Sequence, residues 1–150
     1  MKRILVTGGA GFVGSNLVRE LQRLHPQARI LVVDDMRVGT FKNLVGDADE
    51  PFTFTGELIA RSLNDLDLFE LVQGFEPDVI FHEASITDTT IMDEAVMMRD
   101  NVEPFEVLLD AALQMSIQLV WASSAATYGQ EANGATRAKR PFKVEDAGQP

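Results

Sequence analysis

A parallel α/β sheet, doubly wound with helices on both faces, is the architecture that this 150-residue sequence encodes. Short apolar runs alternate with segments of helical periodicity, the pattern of consecutive βαβ units. The runs are apolar at successive positions rather than at every second one, as strands buried on both faces require. Glycines gather where the first run gives way to the first helical segment. Right-handed crossovers then set the hand of each unit.

Taken in order, "KRILVTG" is a buried strand ending in glycine. "FVGSNLVRELQRLHP" places Val13, Leu17, Val18, Leu21 and Leu24 at helical spacing, and Pro26 stops that helix. "ARILVVDD" is a second strand over Ile30 to Val33, closed by two aspartates, and "PFTFTGEL" reads as a short third strand. "NDLDLFELVQGF" predicts a helix with Asn64 as its N-cap and Gly74 just past its end. "PDVIFHEAS" is a fourth strand, with Val79, Ile80 and Phe81 apolar in succession. A long helical stretch runs from about Asp93 to Met115, and Pro104 inside it predicts a kink near 100–104 because it removes a backbone donor. "IQLVWASSA" is the fifth strand, and after Tyr128 the text turns into a polar, glycine-containing loop.

Composition narrows the function. With 45% apolar and 24% charged residues, this is one soluble domain without a repeat or a linker. The amino terminus lacks the longer apolar stretch of a signal peptide, and no run is long enough to span a membrane, so a cytoplasmic location is expected. There is no cysteine, and His25 and His82 lie too far apart for ligand spacing, so no metal site is expected. A net charge of −10 disfavours nucleic acid, and the basic cluster Arg137, Lys139, Arg140 and Lys143 reads as a solvated loop.

The glycines carry the chemistry. Gly9, Gly11 and Gly14 satisfy GxGxxG, while Gly8, Gly11 and Gly14 satisfy GxxGxxG. Both patterns place glycine where strand turns sharply into helix, where backbone approaches a pyrophosphate and where helix packs on strand. The helix beginning near Phe12 then aims free N–H groups and its positive dipole end at phosphate. Asp34, twenty residues after Gly14 and at the end of the next strand, is placed to accept from ribose hydroxyls. A P-loop is excluded, because Ser15 rather than lysine follows Gly14. Asp35 is either a second ribose contact or a turn cap. Two acids repel a 2′-phosphate, yet Arg37 and Lys42 follow closely enough to partner one, so the cofactor reads as NAD or NADP.

With "TGGAGFVGSNL", "VVDD", "FHEASITDTT" and "WASSAATYG" in that order, nearly the whole chain resembles the extended short-chain dehydrogenase/reductase family. These are Rossmann-type enzymes that epimerise, dehydrate or reduce nucleotide-linked sugars. The resemblance implies that Phe12 and Val13 present backbone to the pyrophosphate beside Gly8, Gly11 and Gly14, and that Asp34 and Asp35 hold the adenosine ribose. It puts Glu57 and Leu58 against the adenine, Glu83, Ala84 and Ser85 along the nicotinamide ribose, and Asn101 on the cofactor side of the long helix. Ser124, four before Tyr128, matches the catalytic hydroxyl that bonds the reacting sugar oxygen. Thr87, Thr89, Thr90 and Ser123 would line the sugar. From the residues alone, Ser123 and Ser124 either face a ligand at the strand end or satisfy loop backbone. His82 reads as a packed strand-end histidine, and Tyr128 as a packing or substrate-wall residue.

"HEAS" followed by a Thr-rich run, and "ASSAATYG" with threonine before the tyrosine, most resemble epimerases acting on an ADP-linked heptose; dehydratases of this kind carry an acid where this chain has Ala125 and Ala126, which argues against dehydration. UDP-sugar 4-epimerases and related reductases are the alternative within the family, and a non-catalytic dinucleotide-binding module is the alternative outside it. The family's redox chemistry needs a tyrosine followed four residues later by lysine, but Ala132 stands four after Tyr128. The family pattern puts that pair shortly after "EDAGQP". The expectation is therefore an amino-terminal dinucleotide-binding part, residues 1–150, whose sheet is incomplete at the carboxyl end and whose sugar-binding segments are absent. The full-length form is expected to be a homo-oligomer, and residues 1–150 alone inactive.

Overall fold

The computed structural model describes residues 1–49, 51–88 and 90–124. Thr89, Ala125, Ala126, Tyr128, Ala132 and the basic cluster from Arg137 to Lys143 lie outside the described residues. Five parallel strands form one sheet: β1 (Arg3–Thr7), β2 (Arg29–Asp34), β3 (Glu57–Ala60), β4 (Val79–His82) and β5 (Gln118–Trp121). Their spatial order is β3-β2-β1-β4-β5. The chain builds outward from β1 to β3, then returns to the other side of β1 for β4, which makes the β1/β4 seam the switch point of the sheet.

The consecutive apolar residues of β1 are explained by helices on both faces. Leu5 joins Leu31, Val33 and Ile80 on one face, under α3 (Leu68–Phe75) and α5 (Glu103–Met115), which contribute Leu68, Val72, Leu108, Ala111 and Ala112. Ile4 and Val6 join Ile30, Val32 and Val79 on the other, under α1 (Phe12–Leu24) and α2 (Phe41–Val45), which contribute Val18, Leu21 and Leu44. The register pairs Leu5 with both Leu31 and Ile80, so both neighbours of β1 keep the same alternation. Each side chain fully buried this way contributes about 1.5–3 kcal/mol.

Four elements differ from the sequence reading, each for a physical reason. The third strand begins only at Glu57, where "PFTFTGEL" placed most of it earlier. Phe52 and Phe54 alternate with threonines as a strand would, but Phe54 packs onto the α1-side core from a loop and Phe52 lies under the Arg19 guanidinium. The helix predicted from Asn64 starts instead at Leu68, because Asp67 caps it by accepting from the Glu70 N–H at 2.9 Å. Residues Leu63–Asp65 form a separate 3-10 turn, and Gly74 lies inside the helix, which ends at left-handed Glu76. Short α2 gave no periodic signal in sequence.

The long helical stretch, where Pro104 predicts a kink near 100–104, holds instead a π turn at Met98–Val102. A short α4 (Glu94–Met97), capped by Asp93, leads into a π turn at Met98–Val102 and then α5. The Glu103 N–H reaches back five residues to the Met98 carbonyl, and Pro104 follows directly in the first turn of α5.

Burial on both faces makes a direct prediction. Ile80→Ala, on a strand fully covered by helices, lowers the unfolding free energy by about 2–5 kcal/mol in urea denaturation. Leu24→Ala, half exposed at the end of α1, changes it by less than about 1 kcal/mol. Equal effects would contradict the two-faced core.

Candidate dinucleotide site

The cleft forms where β1 and β4 end side by side. Gly8 turns the chain out of β1 with φ 67°, and a Cβ there would stand 2.5 Å from the Ala84 nitrogen. Only glycine lets the two strand exits approach so closely. A Cβ on Gly14 would run into the Gly8 carbonyl and sit 2.7 Å from Gly9 Cα, so α1 can lie directly on the turn. Gly11 differs from these, since its Cβ would meet only the Gly8 carbonyl oxygen, at 3.3 Å. That contact is tight but single, so the turn crowds Gly11 less than it crowds Gly8 or Gly14.

Gly11 is also the N-cap of α1, with extended backbone, no side-chain cap and no acid in the first turn. The N–H groups of Phe12, Val13 and Gly14 precede the first helical hydrogen bond partners and stay available to an anion. These residues fit the pyrophosphate of a dinucleotide.

Asp34 closes β2 almost buried, and its carboxylate accepts from the Ala10 N–H at 2.9 Å and the Met36 N–H at 2.8 Å. It pins the glycine turn to the exit of β2 while keeping further acceptor capacity for a ribose hydroxyl. Asp35 behaves as a turn residue, accepting from the Arg37 N–H at 2.9 Å, and it also pairs with the Arg37 guanidinium at 3.0 Å. Both acids line the cleft at the strand exits, a cavity of about 400 Å³ shared with Gly8, Gly11, Glu83, Ala84, Ser85 and Thr87.

Glu57 and Leu58 are not brought to this cleft. Glu57 stands at the entry of β3 and pairs with Arg29 at the entry of β2, 2.8 Å away, while Leu58 packs into the α1-side core. The sequence reading ran the third strand too early, and that moved its exit. The register pairs Asp34 with Ala60, so the residues that reach the cleft from β3 are Arg61, Ser62, Leu63 and Asn64. Matching the end of β3 to the two aspartates ending β2 would have found them.

Asn101 acts on the cleft through a loop. Its amide accepts from the Ile86 N–H at 2.7 Å and donates to the Ile86 carbonyl at 3.1 Å, fixing the segment that carries Ser85 and Thr87. Thr90 donates its hydroxyl to Asp88 at 2.6 Å. Ser123 and Ser124 are exposed just past β5, beyond Ala122. That alanine borders a second cavity of about 230 Å³ with His82, Glu83, Ser85, Asn101, Phe105 and Trp121. Asp100, adjacent to Asn101 in the π turn, also lines the cleft at the strand exits and was missed in sequence. Its partners Arg37 and Asn64 lie far away in the chain, so no local pattern marks it.

Burial sets the titration of the two groups at the end of β4. The Glu83 carboxyl is pushed up by desolvation. His82 is buried, 2.7 Å from the Thr7 hydroxyl through Nδ1, and its ring lies 5.7 Å from that of Phe105. Desolvation holds its pKa down to about 4. It is a packed, neutral histidine. Among the described residues no cluster of histidine and carboxylate side chains could hold a metal ion, and no helix is long and apolar enough to cross a membrane.

Strand order 3-2-1-4-5, a glycine turn at the switch point and an uncapped helix terminus define a Rossmann-type dinucleotide-binding fold. The chain belongs to the NAD dependent epimerase/dehydratase family, whose pattern it matches over residues 4–146. It is similar to Helicobacter pylori ADP-L-glycero-D-manno-heptose-6-epimerase, at 37% identity and a TM-score of 0.74 over 95% of this chain and 43% of that one. It is also similar to a UDP-galactose 4-epimerase, at 32% identity and a TM-score of 0.66 over 85% of this chain and 40% of that one. A third neighbour is Bordetella bronchiseptica WbmG, solved with NAD, at 30% identity and a TM-score of 0.67 over 85% of this chain and 39% of that one. The chain spans about two fifths of the length of these proteins.

The His82 environment predicts an acid limb of stability. Its pKa falls from about 6.5 unfolded to about 4 folded. The stabilisation is therefore complete above pH 6.5 and is lost as pH falls toward 4, to the extent of about 3 kcal/mol. Thermal melts from pH 7 to 4.5 should show His82→Phe losing less stability than the native chain. The comparison isolates His82 from Glu83, whose raised carboxyl acts in the opposite direction. Equal slopes would contradict the assignment.

Proposed function

We propose that these residues form the NAD-binding part of a nucleotide-sugar epimerase, and that the enzyme is an ADP-glyceromanno-heptose 6-epimerase. The observation that carries the cofactor is the glycine turn at the exit of β1, which leads into the uncapped terminus of α1 at Gly11. The observation that favours the heptose is the 37% identity to a heptose 6-epimerase across 95% of the chain. A UDP-sugar 4-epimerase is the second reading, supported by 32% identity over 85%.

Bound in the cleft, NAD would supply a reversible hydride acceptor for oxidation of a sugar carbinol and its reduction from the other face. The amides of Phe12, Val13 and Gly14 would donate hydrogen bonds to the pyrophosphate, and Asp34, with Asp35 beside it, would accept from the adenosine ribose. Ser62 and Leu63 flank the adenine in place of Glu57 and Leu58. Glu83, Ala84 and Ser85 border the nicotinamide ribose. The Ser124 hydroxyl hydrogen-bonds the reacting sugar oxygen, as a catalytic residue, with Ser123, Thr87, Thr89 and Thr90 along the sugar. Asn101 is a positioning residue for that wall. The Tyr/Lys pair that moves the carbinol proton in this family is not among these 150 residues, so residues 1–150 alone bind cofactor without turning over sugar. The whole protein acts in the cytoplasm, as a homo-oligomer, on a soluble nucleotide sugar.

Gly11→Val should weaken NAD+ binding by about 100-fold or more in titration calorimetry while leaving the far-ultraviolet circular dichroism unchanged. Unchanged affinity would remove the cofactor assignment. In the full-length protein, Ser124→Ala should lower kcat for the ADP-linked heptose by about 10²-fold. Preferred turnover of a UDP-hexose would favour the second reading, and NAD+ binding without turnover of either sugar would favour a binding module.

A further inference from the structure

We infer that the cleft accepts NAD and rejects NADP, and that Asp100 makes this choice by holding Arg37 away from the ribose 2′ position. The inference rests on the proposed cofactor site and specifies its ligand. In a fold of this kind the acid ending the second strand bonds the ribose 2′-hydroxyl, and an arginine close behind it is the group that accommodates a 2′-phosphate. Arg37 is that arginine by position, three residues past Asp34 and on the wall of the cleft.

Its guanidinium is already occupied on two sides. Nη2 lies 3.0 Å from an oxygen of Asp35, and Nη1 lies 3.2 Å from an oxygen of Asp100. Asp100 cannot swing away readily, since its side chain is only 7% exposed. It also accepts from Arg99 Nε at 2.7 Å and from Asn64 Nδ2 at 2.9 Å. The Arg99 guanidinium, with Arg37 adding to it, holds the Asp100 carboxyl below the usual carboxylate range. To bind a 2′-phosphate, Arg37 would leave two carboxylates, and the phosphate would enter beside Asp34, Asp35 and Asp100.

Among the described residues, Arg61 and Lys42 are engaged elsewhere. Arg61 donates to the Asp65 carbonyl at 2.7 Å. Lys42, which the sequence offered as a second phosphate partner, lies 3.7 Å from Asp47 and lines a different cavity, between α1 and α2. A ribose 2′-hydroxyl needs none of them. It needs only an acceptor, which Asp34 supplies.

The test is the affinity of the full chain for NAD+ and NADP+, measured separately by titration calorimetry without sugar. The native chain should bind NAD+ at least about 100-fold more tightly. Asp100→Asn keeps the size and the Asn64 contact while removing the charge, and should raise the ratio of NADP+ to NAD+ affinity about tenfold. Arg37→Ala should leave the native ratio within about twofold but abolish the gain in the Asp100→Asn background. Equal native affinities, an unchanged ratio in Asp100→Asn, or parallel weakening of both cofactors there would overturn the inference. So would a lower NADP+ affinity in Arg37→Ala alone. Failure to bind either cofactor would overturn it together with the site itself, whereas failure to turn over a sugar bears only on the epimerase assignment.

Discussion

Everything in the cleft depends on how closely the exit of β1 approaches the exit of β4. Gly8 makes that approach possible, because a side chain there would occupy the Ala84 backbone. The same residue ties the neighbouring elements together. Its N–H donates to the Val33 carbonyl at 2.8 Å, and its carbonyl accepts from the Gly11 N–H at 3.1 Å while filling the space of a Gly14 side chain. Strand β2, the glycine turn and helix α1 are thus tied to one residue. The helix terminus consequently points at the switch point of the sheet, where α/β folds of this type bind their ligands.

The acidic character of the chain fits this design. On the proposed reading, backbone amides and a helix dipole serve the anionic cofactor, so a protein of net charge −10 needs no basic patch. Carboxylates near the cleft act chiefly as organisers. Asp34 ties β2 to the turn, and the π turn sends Asp100 to the loops after β2 and β3 while its neighbour Asn101 grips the loop after β4. Three loops from three strands are held by two consecutive residues. The widened helical turn allows it, and Pro104 one turn later gives a reason for the widening.

Much of this was legible in the sequence because its causes are local. The β1 and β2 strands, the start of α1 at Phe12, the glycine turn and the disruption before Pro104 each follow from adjacent residues, and the structure has them there. The β3 exit was misplaced because Phe52 and Phe54 imitate strand alternation while packing from a loop, and this error carried Glu57 and Leu58 into the candidate site. Asn64 was read as a helix cap because nothing nearby shows that its amide is taken by Asp100, 36 residues on. Asn101 was located correctly on the helix, yet its attachment to Ile86 is a tertiary fact. Reach across the sheet is what the sequence could not display.

The central claim is that backbone at the β1-to-α1 turn, rather than any cationic side chain, binds the cofactor pyrophosphate. Backbone amide resonances followed by NMR during addition of NAD+ test it most directly. The account predicts the largest shifts and the strongest protection from exchange at Gly11, Phe12, Val13 and Gly14, with smaller changes at Ser62 and Leu63 and none at Glu57. Binding that left the amides of residues 11–14 unperturbed, or that shifted those around Arg19 and Lys42 instead, would contradict it.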